Sequence, residues 1–329
     1  SGKTTDILPR DFTQAPSYNN FRITNYDNMD EFGVQSVDFT TGENVTKVPS
    51  FVNYVEGIYV GYRYYETAAE EGFIDYDEAV LYPFGYGLSY TTFEQEMGQL
   101  QTDSEGNITV DVTVTNTGSV AGKDVVEIYY NPPYTNGGIE KSSVNLVAFS
   151  KTDLLQPGDS QTLTLSFTAE DMASYDTYGA GCYVLEAGEY KISLRTDSHT
   201  VVDEQSYTVM SDIVYDESNP RSTDDVAATN QFGFAEGDVV YLSRADHFAN
   251  YAEATAAPAS HSMSEEYKSV YLDNSNYDPN NYNNPDDVMP TTGADNGLKL
   301  ADLRGKDYDD PMWDDLLDQM TVSEMAEMI

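Results

Sequence analysis

The residues best placed to do chemistry are the carboxylates between positions 56 and 78. Paired carboxyl groups can act as general acid and base, or as acid and nucleophile, when the fold holds them beside a reacting bond. The candidates are Glu56, Glu66, Glu70, Glu71, Asp75, Asp77 and Glu78. The chain contains 57 Asp and Glu residues, and unpaired acids are seldom buried. Each is therefore predicted to be a solvated surface charge, except Glu56, which we expect to pair with Arg63 or to hold a loop.

Three tyrosines beside these acids, Tyr62, Tyr64 and Tyr65, offer ring faces on which a sugar could stack. Alternating aromatic side chains near the end of a domain bury large apolar areas, which makes them core residues more often than ligand contacts. We therefore predict that these rings belong to a core, with sugar stacking as the alternative.

The residues that commonly bind metals do not form a recognisable set. His199, His247 and His261 have neither helical nor hairpin spacing, so no zinc site is predicted. The acidic stretch 273–287 lacks the glycine of a helix–loop–helix calcium site. Cys182 is the single cysteine, which excludes an intrachain disulfide and leaves the redox compartment open. No catalytic, cofactor-binding or metal-binding residue is predicted, and no cofactor is expected.

The charge balance excludes one large class of partners. With 57 acidic residues against 16 Lys and Arg, the formal net charge is −41. Nucleic acid is not an expected partner, because phosphate binding draws on clustered Lys and Arg and the few basic residues here form no patch. The acidity is interpreted as a solvated surface, with a cationic partner as the alternative. The sequence has no apolar run of membrane-spanning length and no signal-peptide pattern, so no membrane span is predicted.

The elements that would position these residues change along the chain. From about 94 to 210, short strands alternate with turns. Residues 107–116 alternate apolar and polar side chains strictly, as a half-buried strand does. Residues 125–130, 163–167 and 190–194 are further strands of the same kind. Short strands at this spacing predict an antiparallel β-sandwich.

The segments on either side of these strands have different patterns. Residues 1–93 contain aromatic residues and turn formers but no helix-length periodic segment, and we predict the end of a larger domain. Residues 211–308 are dense in Asn, Asp, Ser, Ala and Pro and are predicted to be a linker, within which 238–244 could dock as a strand. In 312–329, apolar residues near helical spacing and a Thr-x-x-Glu capping box predict two consecutive helices.

Two long blocks resemble sequences that close the second catalytic domain of family 3 glycoside hydrolases. They are YVEGIYVGYRYY at 54–65 and YPFGYGLSYTTF at 82–93. The motifs TNTG at 115–118 and LQPGD at 155–159 resemble the fibronectin type III-like domain that follows it in many of these enzymes. WDDLLDQMTVSEM at 313–325 resembles the start of the family's first domain, a (β/α)8 barrel, although the usual Lys is replaced by Met near its end.

The resemblance implies a mainly β chain, with a fibronectin type III-like (immunoglobulin-like) β-sandwich between parts of the two catalytic domains. The C-terminal end of the α/β sandwich domain would occupy 1–93, the fibronectin type III-like domain 94–210, a linker 211–308, and the start of the barrel 309–329. Because the barrel sequence follows the sandwich, the two catalytic domains would be in inverted order. The usual role of the sandwich in the family is structural.

Enzymes of this family retain anomeric configuration through an Asp nucleophile on the barrel and usually a Glu acid/base on the second domain. By the resemblance, both residues lie outside this sequence. The chain is therefore expected to be a structural part of a retaining hydrolase that acts on β-glucosides or related β-linked oligosaccharides. The alternative is a stand-alone β-sandwich module that binds carbohydrate or protein. The hydrolase is favoured, because the sequence begins within the closing motifs of one domain and stops within the opening helices of another.

Overall fold

The computed structural model describes residues 2–38, 40–104, 106–230, 239–272, 284–286, 288 and 290–328. The strands, β1 to β17 in chain order, are Leu8–Pro9, Thr24–Asn25, Val34–Val37, Asn44–Lys47, Ser50–Phe51, Val80–Tyr82, Phe93–Met97, Gln101–Thr102, Asn107–Asn116, Val125–Asn131, Asn145–Lys151, Ser160–Thr168, Ser174–Tyr175, Tyr183–Leu185, Gly188–Arg195, Val201–Val209 and Ile213–Tyr215. The α-helical segments, α1 to α7, are Tyr62–Glu70, Tyr76–Ala79, Ala245–Phe248, Tyr251–Ala254, Glu265–Val270, Met312–Leu317 and Val322–Met328. The chain divides into two compact units, residues 1–263 and 264–329.

The first unit is built around a β-sandwich of two antiparallel sheets. One sheet has the strand order β11-β10-β15-β16, and the other has the order β12-β9-β7, with β8 also paired to β9. In β9 every second side chain is buried, because successive residues of a strand point to opposite faces. The buried residues are Ile108, Val110, Val112, Val114 and Asn116. The predicted sandwich and its mainly β architecture are confirmed.

The sandwich core lies between the two sheets and extends past residue 210. The valines of β9 belong to one cluster with Ile128 of β10 and Ile192 of β15, which are completely buried. A small sheet of order β13-β14-β17 adds Tyr215 to the same cluster. The chain that leaves β16 therefore still contributes to the sandwich core.

Asn116 gives the TNTG motif a structural role at the end of β9. Its Oδ1 accepts hydrogen bonds from Thr91 Oγ1 at 2.7 Å and from the Gly118 amide at 3.1 Å. Its Nδ2 donates to the carbonyls of Val120 and Leu155, each at 2.9 Å. A buried amide needs partners of this kind, so this side chain joins three turns of the sandwich.

Helix α1 is a feature that the sequence analysis did not predict, since it found no helix-length segment in residues 1–93. The helix has nine residues and buries Tyr64, Tyr65 and Ala68 on one side. These side chains pack in an aromatic cluster with Phe248. Tyrosine is a weak helix former, so burial of this face rather than intrinsic propensity accounts for the helix. The prediction that Tyr64 and Tyr65 are core residues is confirmed.

The chain after the sandwich returns to this aromatic cluster. The Leu242 amide donates to the Val55 carbonyl at 2.7 Å, and Leu242, Phe248 and Ala254 are buried beside α1. The stretch 238–244 is predicted to dock as a strand. Its described part, 239–244, docks on the first unit through buried side chains, but it does not form a strand. Asp238 lies outside the described residues.

The second unit contains the two helices predicted for 312–329. They are α6 and α7, separated at Thr321. The Thr321 amide donates to Glu324 Oε2 at 2.8 Å, and the Glu324 amide donates to Thr321 Oγ1 at 3.3 Å, which completes the predicted capping box. Most of the acidic stretch 273–287 lies outside the described residues. Among the residues that are described, no helix combines the length and the apolar character needed to cross a membrane.

We expect residues 94–210, expressed alone, to fold as an all-β unit that melts cooperatively. Extension to residue 224 should raise its Tm by roughly 5 to 10 °C, because Tyr215 then fills the core and Arg221 lies over the Tyr183 ring at 3.8 Å. Thermal circular dichroism of both segments measures this. A helix-dominated far-UV spectrum, or equal Tm values, would contradict the expectation.

Candidate functional site

Buried polar residues are concentrated where residues 54–88 and 239–248 meet the sandwich. We call this region the polar junction and define it by Glu66, Glu127, Glu140 and Arg244 with their partners. All of these residues lie within the first compact unit. Charged groups leave water at a high cost unless partners replace the lost solvation, so the partners of each residue indicate its role.

Glu66 lies on α1 and is only 6% exposed. Its Oε1 accepts hydrogen bonds from the Tyr76 hydroxyl at 2.7 Å and the Ser198 hydroxyl at 2.8 Å, and its Oε2 lies 2.9 Å from His199 Nδ1. Ser198 and His199 belong to the connection between β15 and β16. The prediction that Glu66 is a solvated surface charge is wrong, because the sandwich brings donors that compensate for its burial.

His199 completes this contact from the solvent side. Its ring stacks on Tyr76 with centroids 3.7 Å apart and an interplanar angle of 7°. The hydrogen bond to Glu66 raises the pKa of His199 above its ordinary value, although partial burial opposes the shift. The charges of Glu66, Asp197 and Asp77 also favour the cation. When His199 is protonated, its imidazolium and the Glu66 carboxylate form an ion pair that joins the sandwich to α1.

Glu127 of β10 faces the glycine-punctuated loop at 83–88. It accepts a hydrogen bond from the Tyr129 hydroxyl at 2.8 Å, and Lys3 Nζ lies 3.8 Å from its other oxygen. Burial raises the pKa of Glu127 to about 7, against the opposing effect of Lys3. Gly85 passes over this carboxylate at a φ of 80°, and a Cβ there would collide with it. Only glycine accommodates both the positive φ and the close approach.

Glu140 joins three parts of the chain through one carboxylate. The Tyr59 hydroxyl and the Arg244 amide donate to Oε2, the latter at 3.0 Å, and the Ser243 hydroxyl donates to Oε1 at 2.5 Å. Burial and the adjacent Glu140 raise the pKa of Tyr59, so its hydroxyl remains a donor. The loop between β10 and β11 is therefore bonded to both segments that flank the sandwich.

Arg244 is a second buried ion of the junction, with a side chain only 4% exposed. Its guanidinium contacts Glu71 at 2.5 Å and Glu70 at 2.8 Å, and it lies 4.1 Å from the centre of the Tyr134 ring. It also donates to the Lys141 carbonyl at 3.2 Å. The planar guanidinium group donates to several acceptors at once. A lysine ammonium group cannot reproduce this arrangement of donors. Glu71 is therefore also not a solvated charge, since its side chain is 12% exposed and paired.

Three of the four residues of α3 adopt left-handed backbone angles, so this segment is a tight turn and not a regular right-handed helix. The φ values of Asp246, His247 and Phe248 are 51°, 60° and 60°, a conformation that costs roughly 1–2 kcal/mol for each non-glycine residue. Asn136 holds this turn by two reciprocal hydrogen bonds to Asp246, each of 2.8 Å. Phe248 is buried in the aromatic cluster. Such strain persists where the surrounding contacts over-determine the conformation.

The other predicted site residues have smaller roles. Glu56 holds a turn through its backbone, because its carbonyl accepts the Tyr59 amide at 2.9 Å. In the described part of the chain no ion pair joins Glu56 to Arg63. Asp75 caps α2 by accepting the Glu78 amide at 3.2 Å. The remaining acids, Glu70, Asp77 and Glu78, are exposed as predicted, although Glu70 also contacts Arg244.

Tyr62 and the histidines lie in distinct surroundings. Tyr62 stacks on Phe84 at 4.7 Å and accepts the Leu146 amide at 2.9 Å, which uses its ring and hydroxyl within the fold. His247 contacts Glu71 at 2.7 Å, whereas His261 approaches the Phe51 ring. Over the described ranges, no group of three or more His, Cys, Asp or Glu side chains could hold a metal ion.

The geometry of the polar junction suits docking rather than bond cleavage. The carboxylates of Glu66, Glu127 and Glu140 all accept hydrogen bonds from this chain. Sequence reasoning missed Glu66 because two of its three partners, Ser198 and His199, lie more than a hundred positions away and leave no local pattern. The one local sign of such a contact is an acidic residue directly after the two buried tyrosines of α1.

We expect the free energy of unfolding to fall as pH rises from roughly 5 to 8. The contribution of His199 is fully present below pH 6.5 and is lost as pH rises through its raised pKa. Glu127 holds a proton in the folded state between its ordinary pKa of 4.5 and about 7, so its contribution also declines as pH rises through that window. Chemical denaturation at a series of pH values measures both effects.

Two single variants separate the pH-dependent contributions of His199 and Glu127. His199→Gln should flatten the upper part of the profile, and Glu127→Gln the lower part. His261→Gln is the matched control, because its ring contacts Phe51 and, among the residues that the structure describes, it pairs with no carboxylate. An unchanged profile in both junction variants would contradict the assignment.

Arg244→Ala should lower the free energy of unfolding by about 3 kcal/mol, because it removes the guanidinium from Glu71, whose side chain is only 12% exposed and would keep only its contact with His247. Arg244→Lys should recover little of this loss, since lysine lacks the planar guanidinium group. Arg63→Ala, at an exposed arginine of α1, should change stability by less than about 0.5 kcal/mol. Urea denaturation of the three variants tests this, and equal effects of Arg244→Ala and Arg63→Ala would refute the role of the ion pair.

Comparison with known proteins gives consistent matches. Residues 124–198 match the sequence profile of the fibronectin type III-like domain. Beta-glucosidase A of Butyrivibrio fibrisolvens is 41% identical over 184 residues, which cover 51% of this chain and 21% of that protein. A beta-glucosidase of Ruminococcus albus is 38% identical over 200 residues, which cover 60% of this chain and 17% of that protein.

A solved structure agrees with these matches. The crystal structure of a beta-glucosidase from Paenibacillus barengoltzii aligns with a TM-score of 0.51 and 34% identity, over 65% of this chain and 21% of that one. The chain thus spans about a fifth of the length of the relatives that it matches. Together these matches show that the chain contains a fibronectin type III-like domain and is similar to a segment of beta-glucosidases, in agreement with the resemblance found in the sequence.

Proposed function

We propose that this chain is a structural part of a retaining glycoside hydrolase that acts on β-glucosides or related β-linked oligosaccharides. The observation that carries the proposal is the use of the buried carboxylates. Among the described residues, those of Glu66, Glu127 and Asp197 are buried, and each accepts hydrogen bonds from this chain. A retaining mechanism needs two carboxyl groups directed at one scissile bond, and these three are directed at the protein itself.

The relatives support the glycosidase activity of the longer protein. Those named above are beta-glucosidases, and this chain spans only a minor part of each. The substrate class is therefore a β-linked glycoside, bound by the complete enzyme. The nucleophile and the acid/base would lie on the two catalytic domains outside this sequence, and this chain would contribute no catalytic residue.

The proposed domain map places the end of the α/β domain at 1–93, the fibronectin type III-like domain at 94–210, a connector at 211–308 and the start of the barrel at 309–329. Residues 239–248 of the connector pack within the first compact unit. The order is inverted relative to the common arrangement, because the sequence that resembles the barrel follows the sandwich. The polar junction supports a holding role for the sandwich. It bonds α1, the loop at 83–88 and the return segment at 239–248 to the same β-sandwich.

We expect purified residues 1–329 to leave an aryl β-glucoside intact, because both steps of the retaining reaction need a carboxyl group that this chain does not supply. A longer protein that carries this chain with both catalytic domains should release the phenol. In that protein, Glu66→Gln should lower Tm, because it leaves a buried hydrogen-bond partner of Glu66 unsatisfied. At a permissive temperature kcat should stay within about twofold, because Glu66 takes no part in the reaction.

Release of nitrophenol, followed together with thermal melting, measures both expectations. Glu78→Gln is the matched control on an exposed acid and should change neither quantity. Turnover by the 329-residue chain that a single carboxylate substitution abolishes would overturn the proposal.

A further inference from the structure

A cleft on the sandwich lies beside the polar junction and shares Glu140 with it. It has a volume of about 500 Å³ and is formed by the loops at 137–140 and 175–180 with residues of β14 and β17. This volume is within the range of small-molecule binding sites. The sandwich therefore carries a concave surface large enough for a small ligand.

An exposed aromatic ring stands on one wall of this cleft. Tyr178 is 82% exposed at the tip of the loop between β13 and β14. The loop is held by Asp176, which accepts the amides of Gly179 at 2.9 Å and Ala180 at 2.7 Å. The Tyr175 hydroxyl closes it by donating to the Gly181 carbonyl at 2.8 Å. The ring of Tyr178 is thus presented to solvent by an ordered loop, and its face is available for stacking.

Two acidic side chains of the cleft keep an oxygen available. Asp212 Oδ1 accepts the Ala187 amide at 2.7 Å, and Glu186 Oε2 pairs with Lys141. The second oxygen of each carboxylate has no protein donor within the described part of the chain. Each can therefore accept a hydrogen bond from a ligand hydroxyl, and a charged acceptor makes the stronger kind of hydrogen bond.

The charge of the cleft selects the class of ligand. Its lining includes Glu140, Asp176, Glu186 and Asp212 and no Lys, Arg or His, so an anionic ligand would be repelled. In the described chain these acids do not form a group able to hold a metal ion. A neutral ligand with hydroxyl donors and one apolar face fits these constraints, and a pyranose ring has both.

We propose that this cleft binds a neutral sugar residue, with Tyr178 against the apolar face of the ring and with Asp212 and Glu186 accepting hydrogen bonds from its hydroxyls. The volume and the negative charge of the cleft indicate the ligand class, which is a neutral sugar. The choice of a β-linked glucose chain as the first probe rests on the proposed function. The site needs neither catalytic domain, so residues 1–329 suffice to test it.

Isothermal titration and ¹⁵N chemical-shift mapping of residues 1–329 with cellotetraose and with maltotetraose test the proposal. We expect saturable binding of at least one neutral tetrasaccharide, with the shift changes centred on 175–181. Tyr178→Ala should weaken it at least roughly tenfold, and Asp212→Asn should weaken it by a smaller factor. Tyr90→Ala is the matched control, because Tyr90 is 98% exposed and does not line the cleft. A trigalacturonate should bind at least roughly tenfold more weakly than the neutral probe.

Thermal melts of each variant confirm that it is folded. Absence of binding to both tetrasaccharides, equal binding of the trigalacturonate, or binding that Tyr178→Ala leaves unchanged would overturn the site. These outcomes are independent of hydrolysis by the longer protein, since that activity can stand while the cleft fails. Binding of maltotetraose alone would support the site and would count against β-linked glucose as its ligand.

Discussion

A carboxylate that leaves water must find donors inside the protein, and this requirement organises the first unit of the structure. Glu66 is buried on a short helix, where the helix itself supplies no donor for its side chain. Tyr76 of α2 supplies one donor, and Ser198 and His199, on a connection of the sandwich, supply the other two. The cost of burying the charge is offset only when the helix and the sandwich are in contact. The same interaction thus fixes the position of α1.

Glu140 and Arg244 extend this dependence to the return segment. Glu140, on a sandwich loop, is bonded to residues on both sides of the sandwich in the sequence, whereas Arg244 is paired to the end of α1. Apolar packing acts in the same direction, because Leu242 and Phe248 fill the cluster beneath the tyrosines of α1. The left-handed turn at 246–248 is tolerated because polar and apolar contacts hold it from both sides. These contacts make residues 239–248 part of the folded unit.

The acidic residues serve two physical purposes in this chain. At the polar junction, the carboxylates of Glu66 and Glu127 are buried and bonded to donors of the protein, so they join segments and are not available to a ligand. At the cleft, Asp212 and Glu186 each keep one oxygen without a described protein donor. Distance from solvent and the supply of local donors decide between the two uses. This contrast is why the same composition supports a structural role at the junction and a binding role at the cleft.

The sequence by itself determined the sandwich and the similarity to segments of beta-glucosidases. Strand β9 was predictable residue by residue, because alternation with period two depends only on which face is buried. The two helices after residue 311 were predictable from local spacing and a capping box. Tertiary structure alone decided that α1 forms, that Glu66 is buried and that 239–248 returns to the aromatic cluster. Each of these depends on partners distant in the sequence, and local patterns carry no record of where such partners lie.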